Sequence, residues 1–219
     1  MFIGLFSRIA AVGTAIVVNA IVFYFGHKLG NGAWTHHHTT VLAFFLAWFA
    51  LAPCGRSLSV DRWLALARAK KLGLLPPPER GPIWTLRLVS LQVAAVYFWT
   101  AFDKLNPAFA GGVKMEEYWL TYYAAELPES PLFRVAALGA SWATIGLEFA
   151  LAVGLFVART RRYLFPIGIA LHGIFYVMLP VSTYSVTFWV AYLAFLDPDR
   201  FHLAIDTILG NGGVQAQRA

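Results

Sequence analysis

Four side chains in this sequence carry chemistry that is out of place in an apolar surround: Lys104, Glu148, His172 and His38. Lys104 closes the stretch Tyr97-Phe98-Trp99-Thr100-Ala101-Phe102-Asp103-Lys104-Leu105, at the end of a segment apolar enough to cross a bilayer. An ionisable group there is costly, and it marks an ion pair, a proton path or a base. The alternative is a lysine that snorkels to the headgroups and does nothing chemical. Ser90, Tyr97, Thr100 and Lys104 recur at spacings of seven, three and four, so on a helix they share a face. Such a polar stripe should face protein rather than lipid. Asp103 points about 100° away and is no obvious partner.

Glu148 lies well inside another apolar run, on a face with Ser141 and Thr144. A carboxyl group there is either protonated or paired. It reads as a structural intramembrane polar group, facing the interior and bonded to His172 or to a hydroxyl such as Tyr176 or Ser141. His172 lies near the middle of a later run, with Tyr176 one turn on. The triplet His36-His37-His38 opens a further run, but consecutive residues point in different directions, whereas a helical metal pair wants i, i+4 spacing. No bound metal is expected. His38 and Lys104 stand at the same side's ends of their segments, so they are expected to line one pocket between the second, third and fifth segments.

The elements that must position these groups are helices in a membrane. The 219 residues are 59% hydrophobic and 13% charged, against about 45–50% and about 25% in soluble domains. The apolar excess is grouped into runs. Cys54 is the only cysteine, which excludes an internal disulfide and a cysteine metal site. Six segments are apolar enough to read as spanning helices: about Leu5–Gly26, His38–Pro53, Thr85–Leu105, Pro131–Val157, Tyr163–Leu179 and Ser182–Leu196. The first is too long for a signal peptide and lacks a small-residue cleavage site. The fold class is therefore all-α, a polytopic membrane bundle of about six transmembrane helices, in one domain over residues 1–219.

Charge placement sets the orientation. With six crossings, one side holds 13 of the 17 basic residues and the other only Lys28, Lys104, Lys114 and Arg134. The positive-inside rule makes the richer side cytoplasmic, with both termini there. Two connections look structured. Ser59–Leu72 alternates Val60, Trp63, Leu64 and Ala67 with Arg62, Arg68, Lys70 and Lys71, a basic amphipathic helix suited to anionic headgroups. The segment Asn106–Ser130 carries Trp119, Tyr122 and Tyr123 and is expected to fold over the non-cytoplasmic mouth.

Three blocks resemble a known family. They are His38-Thr39-Thr40 through Arg56-Ser57-Leu58-Ser59-Val60-Asp61; Tyr97 through Leu105 with Gly111 or Gly112 following; and Leu147-Glu148 through Leu171-His172-Gly173 to Phe195-Leu196-Asp197-Pro198. Together they cover most of residues 35–202. They are similar to blocks of the HTTM family, the horizontally transferred transmembrane domain shared with vitamin K-dependent gamma-carboxylases. In those carboxylases a lysine of the second block deprotonates reduced vitamin K. The resulting anion reacts with oxygen to give a base strong enough to take a γ-proton from glutamate, and the carbanion takes up carbon dioxide. The resemblance maps Lys104 to that lysine and His38 to a histidine needed at the reaction centre. It makes reduced vitamin K or another quinol the expected cofactor, with Tyr97, Thr100, His172 and Tyr176 as residues around it. The family commonly has a tryptophan shortly after Lys-Leu, where Phe109 stands nearest here, and no counterpart of the large lumenal substrate domain of animal carboxylases is expected within these residues.

The favoured reading is a quinol-dependent lyase or oxygenase in a bacterial-type inner membrane, with Lys104 as base. Its expected contacts are membrane lipids, a quinone and a protein partner, and no nucleic acid. The runner-up is a non-catalytic membrane subunit that binds quinone or lipid. A small-solute or proton transporter using Glu148 and His172 as relays is the third, and no inverted repeat supports it.

Overall fold

The computed structural model describes residues 4–32, 37–79, 81–122, 130–178 and 182–208, and the side chains of His37 and His38 lie outside that description. Each described element is helical. α1 spans Ser7–Ile21 and runs on as a π-helix over Val22–Lys28; α2 spans His37–Leu51. α3 is Val60–Leu72, α4 Trp84–Asp103, α5 Pro107–Ala110 and α6 Val113–Tyr122. α7 is Pro131–Gly154, α8 Ala158–Met178 and α9 Ser182–Tyr192, the last tightening into a 3₁₀ turn over Leu193–Phe195. α10, Pro198–Ile208, follows.

All six apolar segments therefore form helices. Three helical stretches, Ser7–Lys28, Trp84–Asp103 and Pro131–Gly154, are long and apolar enough to cross a membrane. At 1.5 Å per residue the 20-residue α4 covers about 30 Å, the thickness of a hydrocarbon core.

Local sequence sets the helix ends. Ser130 accepts a hydrogen bond from Phe133 N–H at 3.1 Å and Pro131 takes the first helical position, so α7 starts on a capped turn. Ser59 does the same for α3, accepting from Arg62 N–H at 3.1 Å, and Gly73 ends that helix at φ 65°. Asp61, in the first turn of α3, reaches to the start of α1. Its carboxylate accepts from Ser7 N–H at 2.6 Å and Phe6 N–H at 2.8 Å. The Ser7 amide, and then the Phe6 amide, hold the carboxyl below its usual range. The expected basic helix is thus tied by backbone bonds to the first apolar helix.

The core forms where α4 meets α2, α7 and α9. Val89, Val93 and Tyr97 of α4 pack with Phe45 of α2, Leu151 and Leu155 from the end of α7, and Phe188, Ala191 and Tyr192 of α9. The expected polar stripe does face inward: Ser90 and Tyr97 are buried, and the Ser90 hydroxyl bonds Leu86 O at 3.0 Å and Ala194 O at 3.2 Å. Beyond the end of α4, α7 continues alongside α5 and α6. Trp119 of α6 packs on Phe133 with ring centroids 5.6 Å apart, and Gly112 lies against the backbone of Leu138.

Candidate functional site

Lys104 is the C-cap of α4, and its side chain folds back toward the helix that carries it. Nζ donates to both carboxylate oxygens of Glu148 on α7, at 2.8 Å each, with Thr100 O at 3.4 Å as a weaker third acceptor. The Glu148 side chain is 5% exposed and that of Lys104 23%. The Thr100 hydroxyl itself donates to Tyr97 O at 3.1 Å. A chelated pair of this kind satisfies most of the donors and acceptors that burial would otherwise leave open. On the remaining side the Phe109 ring faces the ammonium, with Nζ 5.7 Å from its centroid.

Seven residues earlier on the same face of α4, Tyr97 builds a second cluster. Its hydroxyl stands 2.6 Å from His172 Nε2 on α8 and 2.8 Å from the Tyr192 hydroxyl on α9. All three side chains are sealed, at 1%, 0% and 0% exposure. Phe188 stacks on the His172 ring with centroids 4.5 Å apart and 21° between planes. A Cβ at Gly168 would overlap the Tyr192 hydroxyl, so α8 needs glycine there for α9 to deliver that group to Tyr97.

Glu148 and His172 both face the interior and both contact another helix, as their positions suggested. Their partners differ from the expected ones: Glu148 takes Lys104 rather than His172, Tyr176 or Ser141, and His172 takes Tyr97. Thr100 meets the charged pair through its backbone carbonyl, whereas Tyr97 and His172 are occupied with each other. Tyr176 stands apart from both, half exposed, its ring 5.6 Å from Trp189. The expected meeting of His38 with Lys104 lies outside the described residues; the backbone of His38 is in the first turn of α2. The sequence reading passed over Tyr192, although Tyr184, Phe188 and Tyr192 recur at a spacing of four, which puts three rings on one face of α9.

A separate cleft of about 510 Å³ opens between α2 and α9. Leu42, Phe45 and Phe49 line one wall, Val186 and Val190 the other, with Tyr176 at one end. Phe45 and Phe188 stand between this cleft and His172, packed with ring centroids 6.0 Å apart. Neither Lys104 nor Tyr97 contributes to the lining.

A family model, the HTTM domain, matches residues 1–200 and so covers every helix that builds the two clusters. The chain belongs to the HTTM domain family. No curated protein and no solved structure matches it. Membership of this family and the three long apolar helices make the chain a multi-span membrane protein of the HTTM type, with apolar helix faces suited to lipid contact.

Proposed function

We propose that this HTTM protein is a quinol-dependent enzyme of the gamma-carboxylase kind, with Lys104 as its base and Glu148 as the group that exchanges a proton with it. The supporting observation is the inward turn of Lys104 onto Glu148 at 2.8 Å, which is incompatible with a lysine that only snorkels. We read all six apolar helices as crossing the membrane, with both termini cytoplasmic and Lys104 toward the opposite face. His38 then opens α2 on the Lys104 side, as the resemblance to the carboxylases implies.

The chemistry follows from burial. Desolvation penalises both charges of the pair, so the ammonium–carboxylate and amine–acid forms draw closer in energy. Moving one proton across the contact leaves Lys104 as a neutral amine with the lone pair a base requires. Taking a proton from a hydroxyl restores the ammonium beside a Glu148 that is now a neutral acid. The positive charge then stands where it is needed, next to the deprotonated oxygen. The residues present fit a quinol at this point: the amine keeps 23% exposure and an aromatic ring lies beside it. A bound quinol supplies the acidic hydroxyl and the reducing equivalents for reaction with oxygen. The Thr100 carbonyl helps hold the ammonium, and the Tyr97–His172 bond fixes α4 against α8.

The α2–α9 cleft favours a second reading, a non-catalytic subunit that holds a quinone or lipid chain, because its lining is apolar and excludes Lys104. One experiment separates the two. In lipid nanodiscs supplied with a hydroquinone, the wild-type chain should consume oxygen, and Lys104→Arg should abolish that while still folding. A guanidinium keeps the charge and the bond to Glu148 but does not deprotonate. Full activity in Lys104→Arg would exclude a general base, and absence of turnover together with bound quinone in the wild type would put the subunit reading first.

A further inference from the structure

Besides its hydrogen-bond partners, the Lys104 ammonium has the ring of Phe109 beside it. That ring is 8% exposed and faces Nζ at 5.7 Å from its centroid. Its place is fixed by the residues immediately after α4. Asn106 accepts from Phe109 N–H at 3.0 Å through its side chain, and Pro107 pre-sets the next backbone angle. Gly112 N–H then bonds Phe109 O at 2.9 Å. Gly112 itself sits at φ +87°, and a Cβ there would come within 3.0 Å of Leu138 N and Cα. Only glycine both adopts that angle and lets the turn lie on α7. The α5 turn is therefore pinned at one end to the helix that carries Lys104 and at the other to the helix that carries Glu148.

We infer that Phe109 is a positioning residue for Lys104: its ring face holds the ammonium on Glu148. A cation over an aromatic face is attracted by the ring quadrupole, more strongly when both are desolvated. A leucine would fill much of the same space but present no negative face. The inference rests on the proposed function for its catalytic purpose, while its geometry stands independently.

The test uses the full chain in lipid nanodiscs and limited reductive methylation with formaldehyde and cyanoborohydride, read by peptide mass spectrometry. Lys114 is an internal reference, since its side chain is 46% exposed. Phe109→Leu should raise the rate at Lys104 relative to Lys114 about tenfold, the scale of a lost desolvated cation–π contact. Phe109→Trp should keep the wild-type ratio. Gly112→Ala should raise it too, by lifting the turn from α7 with the ring unchanged. A wild-type ratio in Phe109→Leu or in Gly112→Ala, or a ratio in Phe109→Trp as high as in Phe109→Leu, overturns the inference. The ratio is read without quinol, so a wild-type chain that consumes no oxygen yet shows this pattern defeats the proposed function and leaves Phe109's role standing.

Discussion

Two polar clusters share one face of α4, seven residues apart, and they solve the cost of burial in different ways. At Tyr97 the solution is two hydroxyls and an imidazole, joined through the Tyr97 hydroxyl across three helices and closed to solvent, with His172 Nδ1 left without a hydrogen-bond partner. At Lys104 it is a full ion pair, deeply buried on the carboxylate side and open at the amine. Desolvating a hydrogen-bonded hydroxyl costs little, whereas desolvating a charge costs several kcal/mol even when it is paired. The charges stand where the bundle still admits solvent, and the uncharged hydroxyls stand where it does not. The Tyr97 cluster thus has the character of a fastening, and the Lys104 cluster that of a place where protons can be exchanged.

Removing one charge should produce the largest effect. Glu148→Leu leaves a partly buried ammonium with no counter-charge, and the expected loss is up to about 3–5 kcal/mol. Glu148→Gln keeps an acceptor and should be tolerated better. The double variant Lys104→Met, Glu148→Leu should recover most of the loss, since apolar replacement of a whole buried pair is often neutral. Thermal unfolding in one detergent measures all three. If the double variant were as unstable as Glu148→Leu, the pair would be needed for folding, and the contrast with the Tyr97 cluster would collapse.

Tyr97→Phe tests the other side of the comparison and should cost less. It leaves His172 Nε2 and the Tyr192 hydroxyl without their shared partner while keeping the ring, an expected loss of about 1–3 kcal/mol. If the cluster is a fastening, the variant should keep the apparent affinity for hydroquinone once folded, and its oxygen uptake should fall only with the fraction folded. A folded Tyr97→Phe with no activity would move the reactive centre to Tyr97 and His172.

The sequence carried much of this arrangement, and the exceptions have physical causes. All six apolar runs are helices because length and apolarity are local properties, and the stripe Ser90, Tyr97 and Lys104 faces inward because periodicity is local too. The partner of Lys104 was not legible. Lys104 ends its helix and Glu148 lies deep in its own, so equal helix spans would put them at different depths. In fact α7 has 24 residues and runs on past the end of α4 to pack on α5 and α6. The last third of α7, where Glu148 lies, is thereby brought level with the end of α4. That offset is set by Gly112 against Leu138 and by Trp119 on Phe133, contacts between segments that no periodicity announces.

Asp61 sharpens the comparison with the smallest expected effect, because it is the same chemical group as Glu148 in the opposite setting. Its carboxylate also accepts two hydrogen bonds, but from the backbone N–H groups of Phe6 and Ser7 at the start of α1, outside the apolar bundle. Those bonds favour the ionised form and lower its pKa. A depressed carboxyl contributes stability that is present above its unfolded value, about 3.9, and is lost as pH falls through the lower folded value. The tie between α3 and α1 should therefore hold from neutral pH down to about 4 and release below it. In Asp61→Asn the amide oxygen can replace only one of the two acceptors, so the tie should be weak at every pH. Hydrogen exchange at the Ser7 amide reads this directly. It should be slow in the wild type at pH 6, fast in Asp61→Asn at the same pH, with the bundle's melting temperature nearly unchanged. Equal exchange in the two proteins would show that the carboxylate does not hold α1. A large drop in melting temperature would show that a surface carboxylate matters as much as the buried one, against the distinction that burial makes between Asp61 and Glu148.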